Sequence, residues 1–385
     1  MNHRRNIQDV LHYRDAESLP LLHFGYWTPE TLQKWADEGH ITQAEADGWY
    51  DGGPADLSIA SKLGFDANWF SVFNYNATLT DPFPREVIED LPDGSRKVRN
   101  PAGVIELEKA GTGGIPMEFD HLLKNRRSWE EHYKPRLQFA GDQIQHAPVN
   151  VHGEVRPFGE GGLDYLRDDG RDQHYGLFCG SLLGDIRNWI GMQNLAYMQV
   201  DDEALLREII DTVAERHYRA TEYILRQGAV FDFGHFWEDI CFKNGPLVSP
   251  AMFEEFVGPH YKRITGLLNA HGIDIVSVDC DGCIDALIAT WLENGVNTMF
   301  PIEVGTWNAS IGPWREQYGR ELRGVGGMNK TVFARDRAAV DDEIERLKPL
   351  VGLGGYLPCP DHRLAPDAEW DLVRYYCDRM RTTFG

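Results

Sequence analysis

Acidic and thiol side chains cluster at the end of an apolar run in the second half of the chain. Residues 273–278 are typical of a buried strand, and four groups follow it directly, namely Asp279, Cys280, Asp281 and Cys283. Carboxylates and thiols are the groups that bind metal ions or transfer protons in proteins. This segment therefore predicts part of a functional site.

Two later apolar runs end in the same kind of group. Glu303 follows the run at residues 296–300, and Cys359, Asp361 and His362 come directly after the run at 354–357. The carboxyl ends of parallel strands lie at one edge of an α/β fold, where active sites form. We therefore expect these groups to meet the first ones in a single site.

A pair of neighbouring carboxylates, Glu238 and Asp239, closes an earlier strand predicted at residues 229–233. Two adjacent carboxylates at a strand end suit a general base or an anchor for a substrate hydroxyl. The alternative is that they are acidic residues favoured at the positive start of a helix. Both interpretations stay open from the residues alone.

Aromatic side chains next to predicted strand ends indicate a flat ligand. His23, Tyr26 and Trp27 accompany the first predicted strand, and Trp237 precedes Glu238. Rings at a pocket mouth bind flat ligands by stacking, although large aromatic residues also fill cores. Lys330 follows a pair of glycines that lets the backbone approach a ligand, and it is expected to contact an anionic group.

Strand-like and helical runs alternate along the chain. Strands are predicted at 19–25, 69–75, 175–179, 229–233, 273–278, 296–300, 322–327 and 354–357. Helices are predicted to begin at Thr28 and at a Ser128–Glu131 capping box, and to span 201–226, 250–270, 285–294, 311–318, 334–347 and 367–380. Thr28 is the expected N-cap, with Pro29 at the first helical position.

The alternation predicts a (β/α)8 TIM barrel that occupies residues 1–385 as a single domain with an N-terminal extension. Residues 82–118 carry turn signals at 91–95 and 100–103, and they are expected to form a β-hairpin insertion. A doubly wound sheet is the alternative. It usually has a Gly-x-Gly-x-x-Gly turn after the first strand, and this chain has none there.

The composition excludes some partners. The formal net charge of -22 argues against nucleic acid and anionic membrane surfaces, because both require a basic face. No apolar run approaches the roughly 20 residues of a membrane span, so a cytoplasmic protein is expected. Six scattered cysteines are too few for a disulfide framework and are expected to be thiols. A homodimer is compatible with these features.

Several motifs, taken in order, resemble the uroporphyrinogen decarboxylase superfamily. They are Trp237-Glu238-Asp239, Ser249-Pro250-Ala251-Met252-Phe253, Asp279-Cys280-Asp281-Gly282, Pro301-Ile302-Glu303 and the segments 326–330 and 355–362. The resemblance implies a (β/α)8 barrel with its site at the carboxyl ends of the strands. True uroporphyrinogen decarboxylases carry an Arg-Gln-Ala-Gly-Arg-Tyr segment near the N-terminus, and this chain has none. Residues 22–27 look more like the branch of corrinoid-dependent methyltransferases and O-demethylases.

This likeness implies a methyltransferase that moves a methyl group from a small methoxylated, aromatic substrate to a corrinoid. A partner protein would carry the corrinoid, because the chain has no Asp-x-His-x-x-Gly motif for binding it. The alternative is a metal-independent decarboxylase that acts on a carboxylate other than a porphyrin. A third hypothesis is a barrel that has lost catalysis and only binds a ligand.

The resemblance also implies residue roles. Zinc would be held by Asp279, Asp281, Glu303 and Cys359, with Glu238, Asp239 and His362 as catalytic groups. Relatives carry a His-x-Cys pair where this chain has Asp279 and Asp281, so the set is rich in oxygen. That departure predicts either a harder metal site suited to an ether oxygen or no metal at all. Cys280 is expected to face away from the two aspartates, and a change of register would bring Cys280 or Cys283 in instead.

Overall fold

A parallel sheet of seven strands forms the centre of the fold in this computed structural model, which describes residues 2–75, 77–109 and 116–385. The strands in chain order are β1 (Leu22–His23), β2 (Ala67–Asn68), β3 (Val72–Phe73), β4 (Glu86–Asp90), β5 (Ser95–Arg99), β6 (Val104–Lys109), β7 (Met117–His121), β8 (Pro148–Val151), β9 (Glu154–Pro157), β10 (Gly176–Gly180), β11 (Phe233–Trp237), β12 (Cys241–Phe242), β13 (Gly245–Pro246), β14 (Val276–Asp279), β15 (Thr298–Phe300), β16 (Arg323–Met328) and β17 (Tyr356–Pro360).

Helices cover the sheet and connect its strands. They are α1 (His3–Leu11), α2 (Glu30–Asp37), α3 (Gln43–Asp47), α4 (Pro54–Leu63), α5 (Arg126–Ser128), α6 (Gly141–Gln145), α7 (Leu163–Arg167), α8 (Gly184–Ile190), α9 (Met192–Asp201), α10 (Glu203–Arg226), α11 (Pro250–Phe256), α12 (Gly258–Ala270), α13 (Ile288–Glu293), α14 (Val304–Trp307), α15 (Ile311–Tyr318), α16 (Arg337–Val351) and α17 (Trp370–Phe384). No helix within the described ranges is both long and apolar enough to cross a membrane.

The central sheet has the strand order β3-β10-β11-β14-β15-β16-β17, and every neighbouring pair is parallel. Sequential strands joined by helical connections and covered on both faces are typical of a TIM-barrel-like fold. β1 and β2 form a separate parallel pair. The segments after the first and last strands are also joined, because Trp27 N–H donates to the Leu364 carbonyl at 2.8 Å and Leu364 N–H donates to the Gly25 carbonyl at 3.1 Å.

Side chains on one face of these strands form an apolar cluster, here called the interior cluster. It comprises Ile7, Leu11, Leu22, Phe24, Trp69, Phe233, Ile275, Phe300, Val325, Leu357 and Cys359. Ile7 and Leu11 come from α1, so the N-terminal extension packs against the beginnings of the strands. The outward side chains, such as Val276 and Val278, pack with the surrounding helices in a larger cluster, here called the outer cluster.

A buried ion network fixes α1 to the start of β11. Arg4 Nε lies 2.7 Å from Asp232 Oδ1, and Arg171 Nη2 lies 3.1 Å from the other Asp232 oxygen. The Asp232 side chain is only 4% exposed. Burial opposes its ionisation, but His174, Arg171 and Arg4 outweigh that effect and hold the Asp232 pKa below its usual range.

The predicted insertion forms an antiparallel sheet of four strands, β4-β5-β6-β7. Its first turn has Gly94 in a left-handed conformation with φ 81°, which glycine adopts without a steric penalty. The sheet continues to His121, beyond the predicted end at residue 118. Residues 110–115, inside the predicted insertion, lie outside the described part of the chain.

Glu208 of α10 fixes the segment that follows this sheet. Its carboxylate accepts hydrogen bonds from Arg126 at 2.8 Å, Lys134 at 2.7 Å and Trp129 Nε1 at 3.1 Å. The hydrogen bond from Arg126 contributes most, followed by those from Lys134 and Trp129, and together they lower the pKa of Glu208 to about 2. The carboxylate is therefore ionised at neutral pH and connects the insertion to the longest helix.

Two predicted elements lie elsewhere in the structure. The strand predicted at 229–233 forms at β11, because Gly234 obscures the apolar pattern. Gly234 is needed there, since an added Cβ would lie 2.6 Å from Leu268 of α12. The predicted helix 250–270 is two helices, α11 and α12, which meet at Val257.

Two predicted helix starts are also corrected. Pro29, without a side-chain cap, takes the N-cap position of α2 instead of Thr28. The capping box pairs Asn125 with Ser128 rather than Ser128 with Glu131, because Ser128 N–H donates to Asn125 Oδ1 at 3.1 Å and Asn125 N–H donates to Ser128 Oγ at 3.0 Å. The spacing of polar residues in the sequence did not show which residue caps each of these helices.

Replacing Arg4 with Met should lower the free energy of unfolding by about 1–3 kcal/mol, because Asp232 loses one of its two buried cationic partners. Urea denaturation measures this change. Arg5→Met is the control, since the Arg5 side chain is 73% exposed and its one ion pair among the described residues is with Asp9. Equal stabilities of the two variants would contradict the role given to the network.

Replacing Glu208 with Gln should lower the unfolding temperature at pH 7 by an amount that shrinks with acidity. The Glu208 pKa is about 2 in the fold against 4.5 for a free glutamate. Its stabilisation is therefore complete above about pH 5 and is lost as the pH falls toward 2. Thermal unfolding between pH 7 and 3 tests this, with Glu130→Gln as the exposed control near the same two cations.

Candidate functional site

Three carboxylates meet where β11 and β14 end. Asp279 is the last residue of β14 and pairs in register with Trp237, while Asp239 and Asp281 lie just beyond the two strands. Each offers an oxygen, and these three oxygens lie within 4.8 Å of one another. Asp279 is 5% exposed. We call these residues the carboxylate triad.

The backbone around the triad is held in a specific geometry. Asp239 has φ 48°, a left-handed conformation that aspartate adopts more readily than most residues. Its Oδ1 accepts a hydrogen bond from Asp281 N–H at 3.0 Å, and its carbonyl accepts one from Arg187 at 2.9 Å. These contacts connect the end of β11 to the end of β14 and to α8.

Burial and mutual repulsion make two members of the triad, Asp239 and Asp279, hard to ionise. Burial, with a further contribution from Asp281, raises the pKa of Asp239 to about 7. Burial also raises the pKa of Asp279 well above its usual range, with Asp239 and Asp281 adding to the effect. Three neighbouring carboxylates of this kind need a shared proton or a cation at neutral pH.

Glu303 orders the loop that carries Asp281. Its Oε2 accepts the Gly282 N–H at 2.6 Å, and its Oε1 accepts the Thr306 hydroxyl at 2.9 Å. Gly282 has φ 89°, and an added Cβ would lie 2.7 Å from the Cys241 carbonyl oxygen. Burial raises the Glu303 pKa as well, followed by the charge of Asp281.

His362 lies between the triad and a set of aromatic rings. Its Nε2 is 3.5 Å from Asp281 Oδ2, while its Nδ1 is buried without a hydrogen-bond partner in the described part of the chain. The ring centres of Phe24 and Trp27 are 5.4 and 6.0 Å from that of His362. Phe24 also packs edge-on against Phe300 at 4.8 Å. The predicted site residue His362 therefore lies beside the triad, and Trp27 packs against its ring.

Basic groups close to this region already have partners. Lys330 Nζ donates to the Arg363 carbonyl at 3.1 Å, and the Arg363 guanidinium lies 2.6 Å from Asp51 Oδ2. Burial lowers the Lys330 pKa, although Asp361 and Asp281 oppose that shift. Asp361 accepts backbone hydrogen bonds from the loops after β15 and β16 and so connects them.

Glu238 does not join the triad. It is fully buried, and its carboxylate accepts the N–H groups of Leu182, Leu183 and Gly184 at 2.7–2.9 Å and a short hydrogen bond from the Tyr261 hydroxyl. Alternate residues of a strand point to opposite faces, so Glu238 points toward the helices. The structure thus separates the predicted catalytic pair: Asp239 faces the triad, whereas Glu238 holds the turn before α8.

The side chains of His23, in β1, and of Tyr26 pack away from the triad. His23 is fully buried beside Phe65, and burial lowers its pKa to about 3. Tyr26 is fully buried against Trp35 and Trp49. Alternation turns His23 outward and Leu22 and Phe24 into the interior cluster, whereas Tyr26 lies beyond β1, after Gly25 with φ 90°. Phe24, two positions before Tyr26, is the aromatic residue of this segment whose ring packs against His362 together with that of Trp27.

The predicted zinc ligands are not assembled as one group. Asp279 and Asp281 meet, but their third neighbour is Asp239. Glu303 accepts a loop N–H and a hydroxyl, and Cys359 packs in the interior cluster, where burial raises its thiol pKa well above the usual range. Cys280 is buried in the outer cluster, as predicted. This donor set does not fit a zinc ion held by a thiolate.

Two further residues at the site were not predicted. Arg187 contacts the Asp239 carbonyl, and Phe300 contacts Phe24. Phe300 was predicted only as the end of a strand. Alternation along β15 would have placed Phe300 inward once the end of the strand was known.

Replacing Glu238 with Gln should lower the free energy of unfolding by about 1–3 kcal/mol, because the amide NH₂ would face backbone donors in a buried site. Urea denaturation measures this change. Glu293→Gln, at an exposed position of α13, is the control and should change little. A stability of Glu238→Gln equal to that of the control would contradict the anchoring role.

Comparisons with known proteins show the fold. No protein-family model matches the chain, and no curated protein sequence matches it. Among solved structures, a methyltransferase from Methanosarcina mazei superposes with a TM-score of 0.62 at 12% identity, covering 100% of this chain and 99% of that one. A B12-independent methionine synthase from Shewanella sp. W3-18-1 gives a TM-score of 0.46 at 10% identity, covering 95% and 98%. The chain therefore has the fold of the Methanosarcina methyltransferase over its whole length.

Proposed function

We propose that this chain is a methyltransferase of the uroporphyrinogen decarboxylase superfamily, built on a closed (β/α)8 barrel. It moves the methyl group of a small methoxylated aromatic compound to a corrinoid carried by a partner protein. The whole-length likeness to a methyltransferase structure supports the fold in this proposal. The hydrogen bonds between the segments after β1 and β17 support closure of the barrel.

The position of His362 carries the proposed reaction. One ring nitrogen faces Asp281 at 3.5 Å, the other is buried without a hydrogen-bond partner among the described residues, and aromatic rings lie beside it. An imidazole paired with a carboxylate is suited to giving a proton to an oxygen. Trp27 and Phe24 supply the apolar faces that an aryl ring needs.

The reaction requires a proton at the ether oxygen. The nucleophilic cobalt of the reduced corrinoid forms a bond to the methyl carbon, and the bond between that carbon and the aryl oxygen breaks. The oxygen keeps the bonding electron pair and takes a proton from His362, which gives a phenol and a methylated corrinoid. Asp281 orients the imidazole, while Trp237 and Lys330 are proposed to bind the remaining substituents of the ring.

The electrostatics of the site favour this reaction over the decarboxylase alternative. Asp239, Asp279, Asp281 and Glu303 place several carboxylates together, and the neighbouring Arg363 is paired with Asp51. A metal-independent decarboxylase would bring its carboxylate substrate against these acidic groups, while the neighbouring Arg363 is already paired. A neutral ether does not meet this repulsion.

Replacing His362 with Gln should reduce methyl transfer by about 10²–10⁴-fold, the usual contribution of general acid catalysis. The assay mixes the protein with a corrinoid protein reduced to cobalt(I) and a panel of methoxyarenes and methylamines, and follows the absorbance of the methylated corrinoid. His260→Gln is the control, since His260 also pairs with an aspartate, at 2.9 Å, but lies on α12 away from the site.

Two outcomes would contradict the proposal. Absence of methyl transfer from every compound of the panel would exclude the activity as stated. Release of carbon dioxide from an aryl carboxylate without added metal would favour the decarboxylase instead. Equal rates for the His362→Gln and His260→Gln variants would remove His362 from the mechanism but leave the activity itself intact.

A further inference from the structure

We infer that the carboxylate triad of Asp239, Asp279 and Asp281 binds a hard divalent cation of the Mg²⁺ or Mn²⁺ type, with no cysteine ligand. This inference deepens the proposed function, since it specifies the ion at the same site, but it rests on the geometry of the triad and not on methyl transfer. The ion replaces the thiolate-bound zinc that the family resemblance implies.

The spacing of the three oxygens suits one ion. They lie within 4.8 Å of one another. Around a cation with bonds of about 2.1 Å, neighbouring ligand oxygens are about 3 Å apart and opposite ones about 4.2 Å. Small side-chain rotations of the three aspartates would therefore bring all of them into contact with a single ion, and water or substrate oxygens would complete its coordination.

Asp279 supplies an independent observation. Its side chain is 95% buried and directed into the triad, and its carboxylate accepts no hydrogen bond from any described residue. A buried carboxylate without a hydrogen-bond donor is costly unless a proton or a cation neutralises it. Asp281 Oδ1 is likewise a buried oxygen without a hydrogen-bond partner there.

Cationic side chains among the described residues do not neutralise the carboxylate of Asp279. Among the described residues, the ion pair recorded for the triad is His362 with Asp281 at 3.5 Å. Arg363 is hydrogen-bonded to Asp51, Lys330 donates to the Arg363 carbonyl, and Arg187 donates to the Asp239 carbonyl and not to its carboxylate. The three aspartates therefore face one another, and Arg187 and Arg363 act on them through longer-range attraction without a hydrogen bond to their carboxylates among the described residues.

The donor atoms select the class of ion. The triad offers carboxylate oxygens, which prefer hard cations such as Mg²⁺ and Mn²⁺, whereas thiolates favour zinc. Cys280 points into the outer cluster and Cys359 into the interior cluster. Asp239, whose left-handed backbone turns its side chain toward Asp281, takes the place that a thiolate would occupy.

Titration with MnCl₂ tests the inference without substrate or corrinoid. Full-length protein is freed of metal with a chelator, and Mn²⁺ binding is followed by the loss of the electron paramagnetic resonance signal of free Mn²⁺. One ion per chain is expected. Asp279→Asn should weaken binding at least about tenfold. Cys359→Ser and Asp274→Asn, a 61% exposed aspartate at the other end of the same strand, should bind as the unchanged protein does.

A second readout separates lost binding from lost folding. Asp279→Asn should unfold at a higher temperature than the unchanged protein when both are metal-free, because one repelling charge is gone. It should gain little stability from added Mn²⁺, whereas the unchanged protein should gain more. Absence of Mn²⁺ binding at millimolar concentration, or zinc binding that Cys359→Ser abolishes, would overturn the inference and leave the methyl-transfer proposal to its own assay.

Discussion

The alternation of side chains along parallel strands is the constraint on which the site depends. It sends His235, Ser277 and Asp279 to the inside of the sheet and sends Phe236 and Glu238 to the helices. Adjacent strands in parallel register then bring inward residues of equal height together. Moving a polar residue by one position at the end of a strand therefore transfers its side chain from the site to the outer cluster.

The same constraint explains how far sequence reasoning reaches. Asp279 and Asp281 were identified because the largely apolar run at residues 273–278 marks their strand and so indicates which residues face inward. Glu238 and Asp239 were predicted to act together as one pair of carboxylates, because Gly234 obscures β11 and shifts its predicted start by four residues. The predicted strand ends at residue 233, so alternation along it could not be extended to Glu238 and Asp239. The barrel-like order of strands and helices was predictable, because it depends on long patterns and not on single positions.

Carboxylates in this fold serve two separate purposes, and their hydrogen-bond donors distinguish them. Glu238, Glu303 and Asp361 accept backbone N–H groups and hold turns in place. Asp279 accepts none among the described residues and faces other carboxylates instead. Acidic residues at strand ends therefore look alike in a sequence, although some are structural acceptors and others are available to ligands. At the opposite ends of the strands, Asp232 belongs to the structural class through its buried arginines.

The paired hydrogen bonds between Trp27, Leu364 and Gly25 have a consequence for recognition. They make the loops after the first and last strands one mechanical unit, so Trp27 and His362 keep a common orientation although they are far apart in sequence. A ligand that packs against these two rings would meet surfaces that are already in place, and the protein would lose little conformational entropy on binding it. Under the proposed function, selectivity at this edge of the site would be determined by the shape of a rigid surface rather than by the closing of a loop.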